Sequence, residues 1–110
     1  MPGISVHVVD VSRGVVAAGM RVELLYDGKR VAEGRVSSKG LVEVGERART
    51  GFYEAIFHVG EWYRDQRITL PSPPFLDVVT YRFGISDPDQ HYHLPFKCTP
   101  WGYSCFRGGA

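Results

Sequence analysis

The chain opens with the stretch Ile4-Ser5-Val6-His7-Val8-Val9-Asp10, in which apolar and polar side chains largely alternate. A period of two residues is the pattern of a β-strand whose two faces differ. The stretch therefore predicts a strand over residues 4–10 at the start of an all-β fold. One face of this strand carries Ile4, Val6 and Val8, and the other carries Ser5, His7 and Val9.

Short alternating segments of the same kind recur along the rest of the chain. Asp27-Gly28 lies between two of them and is a hairpin signal, because a two-residue turn of this type needs positive φ. Residues 61–67 favour a short helix, and the prolines of residues 71–74 exclude the interior of a sheet. Short strands spaced about 8–12 residues apart are typical of a Greek-key sandwich. We predict strands over residues 4–10, 20–26, 30–36, 41–44, 52–59, 75–84, 90–96 and 102–107.

Length and composition agree with one small β domain over residues 1–110. The 13 glycines, 7 prolines and 13% aromatic residues favour turns and strands. A net charge of +1 argues against a dedicated nucleic-acid binder, which usually carries a basic excess. No apolar run approaches the roughly 20 residues of a membrane-spanning helix. The N-terminus lacks the pattern of a signal peptide, so we expect a cytoplasmic location.

The histidines are the candidate chemical groups. Strand alternation places His91 and His93 on one face and Tyr92 on the other. Two imidazoles on one face can begin a metal site, but no third ligand follows at a suitable spacing. The alternative is a pair of surface or interface histidines that hydrogen-bond their neighbours. Taken alone, His7 is interpreted as a half-exposed strand residue. Because the chain has no recognised nucleophile motif, general-base catalysis by histidine is the available chemistry.

The C-terminal segment over residues 99–110 is unusually aromatic and cationic for a chain end. Chain ends are commonly polar and frayed. We therefore expect this segment to dock on its own sheet or on a second subunit. Cys98 and Cys105 have no metal-ligand spacing, and for them two reduced, packed thiols are favoured over a disulfide.

Three ordered motifs resemble those of the transthyretin-related 5-hydroxyisourate hydrolases. Residues 5–10 resemble the family's opening S/T-x-H-V-L-D, and residues 91–95 resemble its H-Y-H-V-P. Residues 101–109 resemble its terminal Y-G-Y-S-T-Y-R-G-S. Thr50-Gly51-Phe52-Tyr53 is similar to a T-G-x-Y strand start in the middle of the family's sequences. The similarity extends over essentially the full length.

The resemblance implies a transthyretin-like sandwich of two four-stranded sheets with one short helix. It implies a homotetramer, a dimer of dimers with active sites in a channel between subunits, and no metal or cofactor. The implied reaction is hydrolytic opening of an oxidised purine ring in urate degradation, with His7 and His93 as the catalytic histidines that activate water. Substrate contacts are implied for Arg107, Leu41, His91, Phe106 and Gly109.

Three positions depart from the family pattern. Leu41 stands where the family usually has arginine after an early turn. Phe106 and Gly109 stand where it has the tyrosine and serine of Y-R-G-S. These replacements remove polar partners for a polar substrate. Two alternatives therefore stay open: a diverged enzyme that opens or closes a less polar ring, and a non-catalytic binder of small ligands.

Overall fold

The protein folds into two β-sheets that pack face to face. The computed structural model describes residues 3–45 and 47–109. The elements in chain order are β1 (Gly3–Asp10), β2 (Val15–Val16), β3 (Arg21–Tyr26), β4 (Lys29–Arg35), β5 (Leu41–Gly45), β6 (Gly51–His58), α1 (Val59–Asp65), β7 (Val78–Ile85), β8 (His91–Thr99) and β9 (Gly102–Cys105). In the described part of the chain, no helix has the length and hydropathy needed to span a membrane.

The first sheet is organised around the parallel pair β1 and β8. β9 pairs with the outer edge of β8, while β2 and β5 pair with successive parts of the free edge of β1. The second sheet is antiparallel, in the order β4-β3-β6-β7. The predicted all-β sandwich with one short helix is confirmed. Its first sheet has five strands rather than four, because a two-residue strand, β2, is too short to show a period in the sequence.

The core lies between the sheets and takes the apolar face that β1 was predicted to have. Ile4, Val6 and Val8 are at most 1% exposed. The rings of Phe57 on β6 and Phe96 on β8 stack across the sandwich with centroids 3.8 Å apart. Burial of this face fixes which side of β1 faces outward, because a shift of one residue would expose the apolar side chains.

Local boundaries follow the predictions with four corrections, the first of which is that β8 runs to Thr99 rather than ending at residue 96. The helix begins at Val59 rather than residue 61, since the buried Val59 belongs to the core and the Gly60 N–H donates to the Asp77 carbonyl. β7 begins at Val78, whereas the strand predicted there begins at residue 75. The last strand ends at Cys105 rather than residue 107. The predicted hairpin at Asp27-Gly28 is confirmed, with φ of 52° and 77°.

Candidate active site

The outer face of the first sheet brings the two histidine motifs together. Ser5 is the register partner of His93, and His7 is the partner of Pro95 across the parallel β1–β8 pair. Tyr92 is buried on the opposite side of β8, so His91 and His93 share the outer face as predicted. A strand near the start of the chain and another near its end thus supply one cluster of three imidazoles and one hydroxyl.

Ser5 is the centre of this cluster. Its Oγ lies 2.7 Å from His91 Nε2 and 2.8 Å from His93 Nδ1, and the residue is only 8% exposed. A hydroxyl has one proton to donate. Ser5 can therefore donate to only one imidazole at a time, and its oxygen can accept from the other, so the proton positions of the two rings can be coupled through it.

The protonation of His93 is set by its surroundings. Burial lowers its pKa from the ordinary value of 6.5, and the neighbouring His7 and His91 lower it further by charge repulsion. His93 is therefore neutral near pH 7. A neutral imidazole in a partly buried position is suited to accept a proton from water.

Gly40 and Leu41 form the surroundings of His7. Leu41 on β5 is the register partner of His7 and is 43% exposed, so an apolar side chain borders this imidazole. Gly40 has φ of 83°, a left-handed conformation that favours glycine. A Cβ at Gly40 would lie 2.9 Å from His7 Nε2 and 2.8 Å from Val16 Cγ1. The turn before β5 therefore packs directly on the catalytic candidate.

Replacing Gly40 with alanine is expected to displace the His7 ring and to strain the turn. We expect a stability loss of about 1–3 kcal/mol and a fall in kcat of at least about 10-fold. Denaturant melts and steady-state rates measure the two effects. Gly19→Ala is the matched control, since Gly19 also has positive φ but no atom within 4 Å of its Cβ position. Equal loss of kcat in both variants would contradict a role of Gly40 in placing His7.

The C-terminal segment docks on its own sheet, beside His93. The Gly108 N–H donates to the His93 carbonyl at 2.7 Å, and a Cβ at Gly108 would lie 2.7 Å from Pro95 Cγ. The exposed Gly109 follows directly. The segment leaves β9 at Phe106, whose ring centroid lies 5.8 Å from Lys97 Nζ.

Arg107 lies at the N-terminal end of β8. Its guanidinium donates to Gln90 Oε1 at 2.8 Å and to the His91 carbonyl at 3.4 Å, and it stacks 4.1 Å above the Tyr92 ring. The side chain is thus ordered by the same strand that carries His91 and His93. The guanidinium lies where β8 begins, against the His91 backbone and the Tyr92 ring.

Two other expectations concern metal and sulfur. Among residues 3–45 and 47–109, no group of three or more His, Cys, Asp or Glu side chains could hold a metal ion. Cys98 and Cys105 are free thiols. Burial raises the pKa of Cys98 to about 11 and that of Cys105 to about 12, so both are protonated and poor nucleophiles near pH 7.

Ser5 and Gly40 were not among the predicted site residues. Ser5 shares the period-two face of His7, and that position was the signal available in the sequence. Ser5 contacts His91 and His93, which lie 86 and 88 positions further along the chain. These contacts depend on the register of β1 and β8, which no local sequence pattern contains. Gly40 looked like an ordinary turn residue, because nothing in its neighbourhood points to His7.

Comparisons with known proteins show which family the chain resembles. Residues 4–108 match the HIUase/Transthyretin family. The chain is 39% identical to the 5-hydroxyisourate hydrolase of Deinococcus radiodurans, over 97% of this chain and 96% of that protein. The structure of Klebsiella pneumoniae 5-hydroxyisourate hydrolase superposes with a TM-score of 0.85 at 27% identity, covering 99% of this chain and 100% of that one.

A second solved structure resembles the chain over part of its own length. (S)-allantoin synthase superposes with a TM-score of 0.87 at 32% identity, covering 97% of this chain but 43% of the synthase chain. The sandwich, the histidine motifs and the full-length similarity all lead to one assignment, and it is the one that the three sequence motifs predicted. The chain belongs to the HIUase/Transthyretin family.

Proposed function

We propose that the protein hydrolyses 5-hydroxyisourate by opening a ring of this oxidised purine. The observation that carries the proposal is the cluster on the outer face of the first sheet, where Ser5 joins His91 and His93 beside His7. The relatives named above as 5-hydroxyisourate hydrolases support the same substrate. The reaction is hydrolysis of a cyclic amide, so it needs activated water and a proton for the leaving nitrogen.

His93 and His7 divide these tasks in the proposed mechanism. His93, neutral near pH 7, takes a proton from water at Nε2 as the water attacks the ring carbonyl. The attack gives a tetrahedral intermediate, and the ring C–N bond breaks as its nitrogen receives a proton. His7, on the same face, is the imidazole placed to deliver that proton. The hydroxyl of water ends on the carbonyl carbon. His93 then releases the proton that it took from water and His7 takes up one proton, so both histidines return to their starting states.

Substrate contacts are proposed for Arg107, Leu41, His91, Phe106 and Gly109. Their positions support this: Leu41 borders His7, His91 adjoins His93, and the bridge from Gly108 to the His93 carbonyl fixes the C-terminal segment. Arg107 supplies positive charge for a polar heterocycle. The expected cytoplasmic location and the single domain over residues 1–110 stay predictions.

We also propose a homotetramer, a dimer of dimers, in which the outer face of the first sheet lines a shared channel. Several large apolar side chains on or near the first sheet are about half exposed in the single chain, as an interface requires: Leu41, Trp101, Tyr103 and Phe106. A channel would enclose the histidines and exclude bulk water, which strengthens electrostatic interactions at the reacting atoms.

The direct test is the rate at which freshly prepared 5-hydroxyisourate disappears in the presence of purified protein. We expect saturable acceleration over buffer, and an acid limb of kcat/KM below pH 6.5 because neutral His93 is the base. An absence of acceleration at any protein concentration would contradict the proposal. Binding of the substrate without turnover would instead favour a carrier.

One observation favours a second candidate, a diverged enzyme acting on a less polar heterocycle. The half-exposed Leu41 borders His7 at the place where the family usually carries arginine, and the half-exposed Phe106 replaces a hydroxyl. An apolar border selects a less polar substrate by desolvation. The two candidates keep the same histidines and differ in what these two side chains contact.

Replacing Leu41 with arginine discriminates between the two candidates. Under the second, we expect the arginine to raise kcat/KM for 5-hydroxyisourate by about 10- to 100-fold, because a charged hydrogen bond contributes about 1.5–3 kcal/mol. Steady-state rates of both proteins give the ratio. Leu41→Met is the control for side-chain volume. A wild-type rate that exceeds that of the arginine variant would show that the apolar border already suits 5-hydroxyisourate.

A further inference from the structure

Ser5 occupies a position between two imidazoles that the proposed reaction does not yet use. Its Oγ contacts His93 at Nδ1, the nitrogen that faces away from the Nε2 proposed to meet water, and contacts His91 at Nε2. Both distances are those of strong hydrogen bonds. Since Ser5 is 8% exposed, solvent has little room to replace either ring as its partner.

We propose that His93, Ser5 and His91 form a proton relay, with Ser5 as its positioning residue and His91 as the acceptor of the proton taken from water. The proposal rests on the proposed hydrolysis and deepens it. It assigns to His91 a role in proton transfer besides substrate contact, and to Ser5 the task of selecting the tautomer of His93.

The tautomers follow from the single proton of the hydroxyl. When the Ser5 hydroxyl donates to His91 Nε2, His93 Nδ1–H must donate to Ser5 Oγ. Neutral His93 then has its lone pair on Nε2 and acts as a base. In the reverse arrangement, His91 Nε2–H donates to Ser5 and Ser5 donates to His93 Nδ1. Neutral His93 then carries its proton on Nε2 and is only a donor. Catalysis by His93 therefore requires the first arrangement.

The relay balances in protons and charge. Water gives a proton to His93 Nε2 while its hydroxide adds to the ring carbonyl. His93 Nδ1–H passes its proton to Ser5 Oγ, and Ser5 passes its own hydroxyl proton to His91 Nε2. His91 becomes the imidazolium, His93 returns to neutral with a proton on Nε2, and Ser5 is again a hydroxyl that donates to His93. The positive charge moves from His93 to His91.

The charged and titratable groups around this relay lie on β1, β5, β8 and the C-terminal segment. His7 faces the site from β1, and its charge when protonated opposes a cation on His93. Glu43 on β5 is the register partner of Ser5 and shares its face, so its carboxylate favours positive charge near the relay. Lys97 lies further along the same face of β8, and Arg107 lies at the His91 carbonyl.

The first experiment tests whether the Ser5 hydroxyl contributes to catalysis rather than to folding. We expect Ser5→Ala to lower kcat about 10- to 100-fold with little change in KM, because substrate contacts remain. Ser5→Thr keeps the hydroxyl in a strand-favouring residue and is expected to stay within about 3-fold of wild type. Thr80→Ala, an exposed strand hydroxyl on the opposite sheet, is the matched control. Equal rates for wild type and Ser5→Ala would overturn the relay.

A second variant separates positioning from proton transfer. His91→Gln offers a side-chain oxygen that accepts from Ser5 but does not take up a proton. We expect kcat to fall about 10-fold and the acid limb of the pH profile to move, since the charge must stay on His93. A His91→Gln variant with wild-type kcat and pH profile would overturn the assignment of His91 as proton acceptor.

A spectroscopic measurement tests the relay without using the hydrolase activity. In protein labelled with 15N at histidine, the ring nitrogen shifts report which nitrogen of His93 carries the proton. We expect Ser5→Ala to change the His93 and His91 tautomer populations, and Ser5→Thr and Thr80→Ala to leave them near wild type. Unchanged shifts in Ser5→Ala would overturn the relay. Changed shifts in a protein inactive on 5-hydroxyisourate would contradict only the substrate assignment.

Discussion

Replacing His93 with alanine is expected to lower kcat and kcat/KM for 5-hydroxyisourate together, by about 100- to 10,000-fold. The imidazole acts on water in the transition state, so its removal raises the barrier without weakening substrate binding to the same extent. The side chain is partly buried and hydrogen-bonds to Ser5, which also contacts His91, so we expect the fold to tolerate its removal. Initial rates over a range of substrate concentrations give both constants.

The control for this prediction is a histidine on the opposite sheet. His58 contacts Glu23 Oε2 at 2.5 Å and Arg21 Nη2 at 3.3 Å, outside the proposed site. We expect His58→Gln to change kcat by less than about 2-fold while it lowers stability modestly. If His58→Gln lost as much activity as His93→Ala, the loss would report general damage, and His93 would not be the base.

The period-two pattern predicted which site residues lie on the same face of one strand. It placed Ser5 with His7, and His91 with His93, because alternation is a property of one strand. It did not predict that β1 and β8 are parallel neighbours, with Ser5 opposite His93. That pairing depends on the packing of both strands on one core, so the distances that define the cluster appear only in three dimensions.

The C-terminal segment shows a different limit. Its aromatic composition predicted docking, and the bridge between Gly108 and His93 confirms that it docks on its own sheet. The predicted continuation of the last strand to residue 107 was wrong, because regular pairing with β8 ends at Cys105 and resumes in the same antiparallel register only at Gly108, opposite His93. The alternation of side chains along a strand does not show where its backbone hydrogen bonds to the neighbouring strand end.

Beneath the site, the end of β1 is held by Asp10, which is 0% exposed. Its Oδ1 accepts from the Ser12 N–H at 3.0 Å and from Tyr63 Oη at 2.7 Å, and its Oδ2 accepts from Arg13 Nε at 2.8 Å. Burial acts to raise the pKa of this carboxyl, but the hydrogen bonds together outweigh it, and the pKa is lowered. Asp10 thus joins β1 to α1 through a buried charge.

Replacing Asp10 with asparagine is expected to lower the free energy of unfolding by about 2–4 kcal/mol. An amide removes the charge that Arg13 pairs with, and its NH2 group would meet a donor where the carboxylate accepted. Urea denaturation of both proteins at pH 7 measures the difference. Tyr63→Phe removes one hydrogen bond at nearly constant volume and is expected to cost about 1–2 kcal/mol. A smaller loss for Asp10→Asn than for Tyr63→Phe would contradict the account.

The pH dependence of stability gives this prediction a second readout. Because the folded pKa of Asp10 lies below that of the unfolded chain, the unfolded state binds more protons as pH falls through this range. The stabilisation by Asp10 is therefore complete above about pH 5 and is lost as pH falls below about 4 toward the folded pKa. Glu23 and Glu61 also have lowered pKa values through hydrogen bonds with His58 and Arg21, and they contribute in the same direction. We therefore expect Asp10→Asn to retain acid sensitivity but with a shallower slope than wild type, and identical slopes would exclude Asp10 as a source of it.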